Sequence, residues 1–252
     1  MTNFNRPNVL FPAYVDQPKS LERLWKRWQM IIEPIQPDLV GMRVLDIAAH
    51  DGRWAYAFSC SGATSIVAIE ARQALVDQFS SYPDDELKAS VDFKCQEVFT
   101  YLDSAVRGNE TFDVVAILGF LYHTMDHHRL FDLIRQLRPK LIIIDSEFLN
   151  ANNAVIQITG ERTDNPLNAA PYFAGQEKAL VGTPSVGAME RFAESIGYDV
   201  FGSTRLKTNK AIRPGYETTI AAVESSVEFV IWCKNASPQA TLHQNRPTKS
   251  QT

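Results

Sequence analysis

Apolar residues near the start of the chain recur every three or four positions. Leu21, Leu24, Trp25, Trp28, Ile31, Ile32 and Ile35 share one face of a helix expected over residues 20–35. Lys19, Arg23, Lys26 and Arg27 fall on or beside the other face, which reads as a solvated surface, with a phosphate-facing patch as the alternative. Pro34 and Pro37 are expected to end this helix. From residue 42 the period changes. Strands are expected at 42–48, 65–70, 91–95, 112–118 and 140–145, alternating with helices at 53–61, 72–80, 98–106 and 126–137. Runs such as VVAIL and LIIID carry no polar alternation, as strands buried on both faces do. The alternation predicts an α/β fold, a mostly parallel sheet with helices on both faces and ligands outside the carboxyl ends of the strands.

Beyond Asp145 the pattern weakens. Residues 146–183 are rich in Asn, Gly, Pro and Thr without a long period, which suggests an inserted binding segment or lid rather than an idle loop. A helix capped by Ser185 is expected through Ile196, followed by strands at 199–206 and 227–233, which bring the sheet to seven. The polar tail reads as disordered. The organisation expected is therefore a helical lid over 1–40, an α/β domain over 41–235 with its insertion, and a tail over 236–252.

Composition narrows the classes. A chain of 252 residues, 45% hydrophobic and 21% charged, can bury one sizeable core. The net charge of −4 argues against a nucleic-acid coat, though a local basic patch is compatible with it. Three widely spaced cysteines, Cys60, Cys95 and Cys233, make neither a disulfide framework nor a cysteine zinc site and point to a reducing compartment. No basic start followed by an apolar stretch opens the chain, and apolar runs such as Leu141–Ile144 fall far short of the ~20 residues that cross a bilayer. The expectation is a cytoplasmic protein away from membranes, of open oligomeric state.

The segment Val44-Leu45-Asp46-Ile47-Ala48-Ala49-His50-Asp51-Gly52-Arg53-Trp54 runs from a strand through a turn into a helix, and the next strand, SIVAIE, ends in Glu70. This pairing resembles the cofactor-binding half of class I S-adenosylmethionine-dependent methyltransferases, and the resemblance extends to about residue 235. It implies a Rossmann-like fold with S-adenosylmethionine as cofactor and S-adenosylhomocysteine as product. Asp46, Ala48, His50 and Gly52 would form the first turn of the site. Glu70, followed by Ala71, would bind both ribose hydroxyls, a role suited to an acceptor-only carboxylate. The family's first turn is usually glycine-rich. Here only Gly52 remains to admit a close ligand, and the G-x-G-x-x-G of a dinucleotide site is absent. Similarity further places the adenine by Gln96, Glu97 and Val98, with Gln96 or Glu97 meeting its amine and the other starting a helix.

After the fourth strand stands Gly119-Phe120-Leu121-Tyr122-His123, which looks like the G-x-L-Y-H of a methyltransferase branch acting on small molecules and on tRNA wobble uridines. By that likeness Leu118, Phe120 and Tyr122 lie under the sulfonium and His123 near the acceptor, as a general base or as a structural histidine. His127 or His128 is an alternative base, and the expected acceptor contacts are His127, Arg162, Tyr172 and Tyr14. Arg162 would pair an acceptor carboxylate, and Phe11 and Tyr14 would close over the pocket. His123 and His127 stand four apart, but Thr124 breaks the zinc-hydrolase pattern, so no metal is expected. N-P-P-Y and D-P-P-Y are missing, as is a cysteine after strands four and five. These features favour methylation of a small molecule, on oxygen ahead of nitrogen. The rivals are a tRNA-modifying relative using Lys19–Arg27 and Arg205–Arg213, a non-catalytic cofactor-binding subunit, and a nicotinamide enzyme.

Overall fold

The computed structural model describes residues 6–206 and 227–235. Its strands are β1 (Arg43–Ile47), β2 (Ser65–Glu70), β3 (Val91–Cys95), β4 (Val114–Leu118), β5 (Leu141–Phe148), β6 (Ile156–Arg162), β7 (Lys178–Pro184), β8 (Tyr198–Leu206) and β9 (Val227–Asn235). The helices are α1 (Arg6–Leu10), α2 (Pro18–Ile31), α3 (Gln36–Leu39), α4 (Arg53–Cys60), α5 (Gln73–Val76), α6 (Asp85–Ala89), α7 (Val98–Arg107), α8 (His127–Gln136) and α9 (Val186–Ser195).

Seven strands form one sheet in the order β3-β2-β1-β4-β5-β9-β8. The first five are parallel, and β9 runs antiparallel to both of its neighbours. Strand order reverses between β1 and β4, and the crevice outside their carboxyl ends is where such sheets bind ligands. The strands alternate between two buried faces. Leu45, Ile47, Val67, Ile69, Val115, Ile117, Ile142 and Ile144 pack under α7, α8 and α9, whereas Val44, Ile66, Ala68, Val114, Ala116, Leu118 and Ile143 pack under the amino-terminal helices and α4. The sheet is thus sandwiched, which explains why its strands read as unbroken apolar runs.

Several expectations are revised. Pro34 sits in a short 3-10 turn (Glu33–Ile35) after α2, and Pro37 lies in the first turn of α3, where a missing N–H costs nothing. The single helix expected over 72–80 is broken into α5 and a 3-10 turn, Asp77–Ser81. The insertion is not irregular throughout. Its first residues extend β5 to Phe148, and β6 and β7 form an antiparallel ribbon with Ile158 opposite Gly182 and Glu161 opposite Ala179. Arg27 does not join a solvated face. It is buried, and both Nε and Nη2 bond Asp145 Oδ2 midway along β5, level with the end of β4, the former at 2.7 Å. With Trp28, Ile31 and Ile32 fully buried as well, α2 is packed into the core as a wall of the crevice. The expected tail at 236–252 and the basic stretch 207–213 lie outside the described residues, as do the side chains of Arg205 and Leu206.

Candidate active site

The turn after β1 holds three residues in the left-handed region: Ala48 (φ 55°), His50 (φ 56°) and Gly52 (φ 82°). A side chain there costs roughly 1–2 kcal/mol, so Ala48 and His50 keep a glycine-type backbone without glycine. Hydrogen bonds hold the turn against β2: Ala49 N–H to Ile69 O at 2.8 Å and His50 N–H to Glu70 Oε2 at 3.1 Å. Gly52 opens α4, and its missing Cβ makes room for protein rather than ligand. A Cβ there would lie 2.4 Å from Phe79 Cδ2 and 3.0 Å from Phe93 Cε1. The close approach expected at Gly52 is therefore an aromatic contact inside the core.

Outside the carboxyl ends of β1, β2 and β4 lies an open cleft of about 1900 Å³. It is walled by Ala48, His50, Glu70, Ala71, Glu97, Val98, Leu118, Phe120, Tyr122 and His123, with Tyr14 on one flank and Arg162 and Tyr172 on the other. The Glu70 carboxylate, on a residue only 5% exposed, accepts the His50 N–H on one oxygen and the Arg72 N–H at 3.0 Å on the other. Arg72 also donates to Asn168 O at 2.8 Å, which ties the 163–177 loop to the tip of β2. Glu97 caps α7 through Thr100 N–H at 2.9 Å while facing the cleft, so it fills the helix-starting part. Gln96 stands off the cleft; its N–H donates to Glu70 O at 2.9 Å.

Asp46 is also set back from the cleft surface. It is buried, its Oδ2 has no hydrogen-bond partner, and burial, with Asp51 and Glu70 nearby, pushes its pKa up to about 8. Beside it, Asp51 accepts Tyr14 Oη–H at 2.5 Å and Arg53 Nε–H at 2.6 Å. Burial raises the pKa of Asp51, but His50, Arg53 and Tyr14 outweigh that and hold it well below the usual carboxylate range. Tyr14, under the Arg53 guanidinium at 4.7 Å, is pinned by these contacts. Phe11 does not reach the cleft: it is fully buried, edge-on to Trp54.

His123 ends the short 3-10 turn that follows β4, Leu121–His123. Its ring packs on Tyr122 at 4.1 Å between centroids, and its Nδ1 lies 2.6 Å from Glu161 Oε2 on β6. Glu161 is fixed in turn by the Ala169 N–H at 2.9 Å. Burial, with Glu147 nearby, raises the Tyr122 pKa far above its ordinary value, so the phenol stays protonated. His127 is not brought to the cleft. It is buried, with Nε2 at 3.0 Å from Leu121 O and its ring stacked on Phe192, and desolvation lowers its pKa. His128 is exposed on the same helix. Arg162 forks onto Asp164 at 2.6 and 3.1 Å, so its guanidinium already has a carboxylate. Among the described residues no group of three His, Cys, Asp or Glu is placed to hold a metal ion, and no helix is long and apolar enough to cross a membrane.

No protein-family profile matches the sequence, and no curated protein matches it. Solved structures do match in fold. The amino-terminal domain of EvdMO1 with S-adenosylhomocysteine bound shares 13% identity at a TM-score of 0.56, over 82% of this chain and 79% of that one. An S-adenosylmethionine-dependent methyltransferase from Mesorhizobium loti shares 12% at 0.54, over 81% and 95%. The DhpI complex with S-adenosylhomocysteine shares 12% at 0.52, over 94% and 99%. The chain shares the Rossmann-like fold of these structures. Within that fold, the feature that sequence reading missed is Glu161. The stretch 156–162 has few apolar residues at period two, and only the folded ribbon brings its glutamate to a histidine 38 positions away.

Proposed function

We propose that this protein transfers a methyl group from S-adenosylmethionine to a small molecule, on oxygen ahead of nitrogen. The observation that carries the reading is the Glu70 carboxylate. Each of its oxygens takes one backbone N–H, the Arg72 guanidinium stands 3.9 Å from one of them, and the residue lines the cleft, so acceptor capacity remains for the two donors of a ribose diol. The left-handed turn at Ala48 and His50, both of which line the cleft, also fits this group, since backbone strain of this kind clusters where a ligand is held. The cofactor supplies an electrophilic methyl on a cationic sulfur.

The chain supplies position and a proton acceptor. Ala48, His50, Glu70 and Ala71 would hold the sugar and amino-acid end, and Glu97 and Val98 the adenine side. Leu118, Phe120 and Tyr122 would form the apolar floor that keeps water from the reacting carbon. With a carboxylate at Nδ1, the His123 ring carries its proton there and turns Nε2 toward the cleft as a base. That nitrogen would take the proton that the acceptor hydroxyl must lose when the methyl passes from sulfur to oxygen and the thioether is released. Glu161 positions the ring and stabilises the imidazolium that results, a dyad that suits an acceptor which must be deprotonated. Tyr14 and Tyr172 flank the acceptor side.

The reading as an RNA modifier is weakened by Arg27, which is bound to Asp145, and by Lys26, which pairs with Glu22 at 2.6 Å. Calorimetric titration tests the proposal: S-adenosylhomocysteine should bind and NAD should not, and Glu70→Gln should weaken the former by roughly 1.5–3 kcal/mol. Binding of NAD alone would overturn it.

A further inference from the structure

The cleft is larger than a nucleoside cofactor needs, since pockets for drug-sized ligands typically occupy about 300–1,000 Å³. Its remaining walls have an uneven chemistry. Along α2, Lys19, Arg23 and Arg27 follow one another at four-residue intervals and all face the cleft. Arg27 is anchored on Asp145, which pairs with Leu118 in the register of β4 and β5, so it marks the level of the reaction centre. Each step of four residues climbs about 6 Å along the helix. Arg23 therefore stands one turn above that level and Lys19 two. Among the described residues neither has an ion-pair or hydrogen-bond partner, unlike Arg27, Arg53, Arg72 and Arg162. On the inserted segment, Val155 (45% exposed), Leu167 (67%) and Tyr172 (50%) line the same cleft and leave apolar surface uncovered.

We propose that the acceptor is an amphipathic anion, with a carboxylate or phosphate held by Arg23 and Lys19 and an apolar body laid against Val155, Leu167 and Tyr172. The inference rests on the methyl-transfer reading for the word acceptor, but not for binding itself. An anion of this kind would find two unengaged cations about 6–12 Å beyond the Arg27 level, far enough to bind without displacing the Arg27–Asp145 pair. Its apolar part would cover side chains that water now covers, which favours binding in proportion to the area removed from water. A plain polar metabolite would leave that surface wet, and a cationic amphiphile would meet two like charges.

The test measures binding directly, with no turnover, so that it stands apart from the cofactor reading. Dodecanoate, dodecyl phosphate, dodecanol and dodecyltrimethylammonium are titrated below their micelle concentrations into the full chain, with and without S-adenosylhomocysteine. The expected result is that at least one anion binds tenfold or more tighter than the alcohol and the cation. Dodecanoate ahead assigns the carboxylate; dodecyl phosphate ahead assigns the phosphate. Arg23→Gln and Lys19→Gln should each cut the anion preference several-fold while leaving the alcohol unchanged. Leu167→Ser, at an exposed position, should weaken all chain-bearing probes alike. Equal affinity for all four head groups, or a preference that survives the double substitution of Arg23 and Lys19, would overturn the proposal. Anion binding without any S-adenosylhomocysteine binding would overturn the methyl-transfer reading and leave this one standing.

Discussion

Removing the carboxylate of Asp145 should be among the costliest single changes in this molecule. Its partner Arg27 is 8% exposed, comes from 118 residues away, and places two guanidinium nitrogens on one carboxylate oxygen. The guanidinium also stands over the Trp54 ring at 5.1 Å. Asp145→Ala removes the carboxylate that both guanidinium nitrogens hold, and breaking one side of a buried pair costs about 3–5 kcal/mol. The surface pair Lys26–Glu22, with side chains 59% and 64% exposed, gives the contrast: Lys26→Ala should leave the unfolding midpoint almost unchanged. For a chain of this size the Asp145 loss corresponds to a fall in Tm of roughly 6–20 °C. Urea unfolding followed by tryptophan fluorescence and by circular dichroism reads both variants. The double variant Arg27→Met with Asp145→Leu should recover most of the loss, because a well-packed apolar pair removes the desolvation cost of both charges. If Asp145→Ala unfolds no more easily than Lys26→Ala, the pair is not what seats α2 as a wall of the cleft.

Asp46, raised to about 8 in the fold, is charged more readily when unfolded, so its stabilising effect is complete below about pH 4 and is lost as pH rises toward 8. Asp46→Asn should therefore gain on the parent across that window, by at most about 1.4 kcal/mol per pH unit, in melts recorded from pH 5 to 8 without ligand; parallel curves would refute it. His123→Ala should slow turnover ~10²–10⁴-fold with S-adenosylhomocysteine affinity intact, and Glu161→Gln should slow it less while shifting its pH profile. A loss of cofactor affinity at normal turnover would reverse that assignment. Gly52→Ala should destabilise by about 2–4 kcal/mol in urea, from the left-handed backbone and the contact with Phe79 together. A neutral Gly52→Ala would mean that the ring yields freely.

The sheet was legible because its strands are buried on both faces: VVAIL and SIVAIE could serve little else than central parallel strands. The place of Glu70 at the end of β2 was legible for a related reason, as a charge closing an apolar run marks where the strand stops. What escaped were features made by distant segments. Arg27 looked like one of four cations on a polar helix face, and only docking against β5 distinguishes it. Glu161 and the ribbon were hidden because both faces of β6 stay partly wet, which erases the alternation of a half-buried strand. His127 shows the converse: its place in the cluster after β4 suggested chemistry, but it falls on the inward face of α8. Gly52 was identified as a necessary glycine, although the need comes from Phe79 and Phe93 rather than from a ligand.

A crystal soaked with S-adenosylhomocysteine tests the central claim most directly. The sugar should lie at the tip of β2, with its two hydroxyls within about 2.5–3.0 Å of the Glu70 oxygens and its sulfur near Tyr122 and His123. A ligand lying elsewhere in the cleft, with its sugar out of reach of the Glu70 carboxylate, would contradict it.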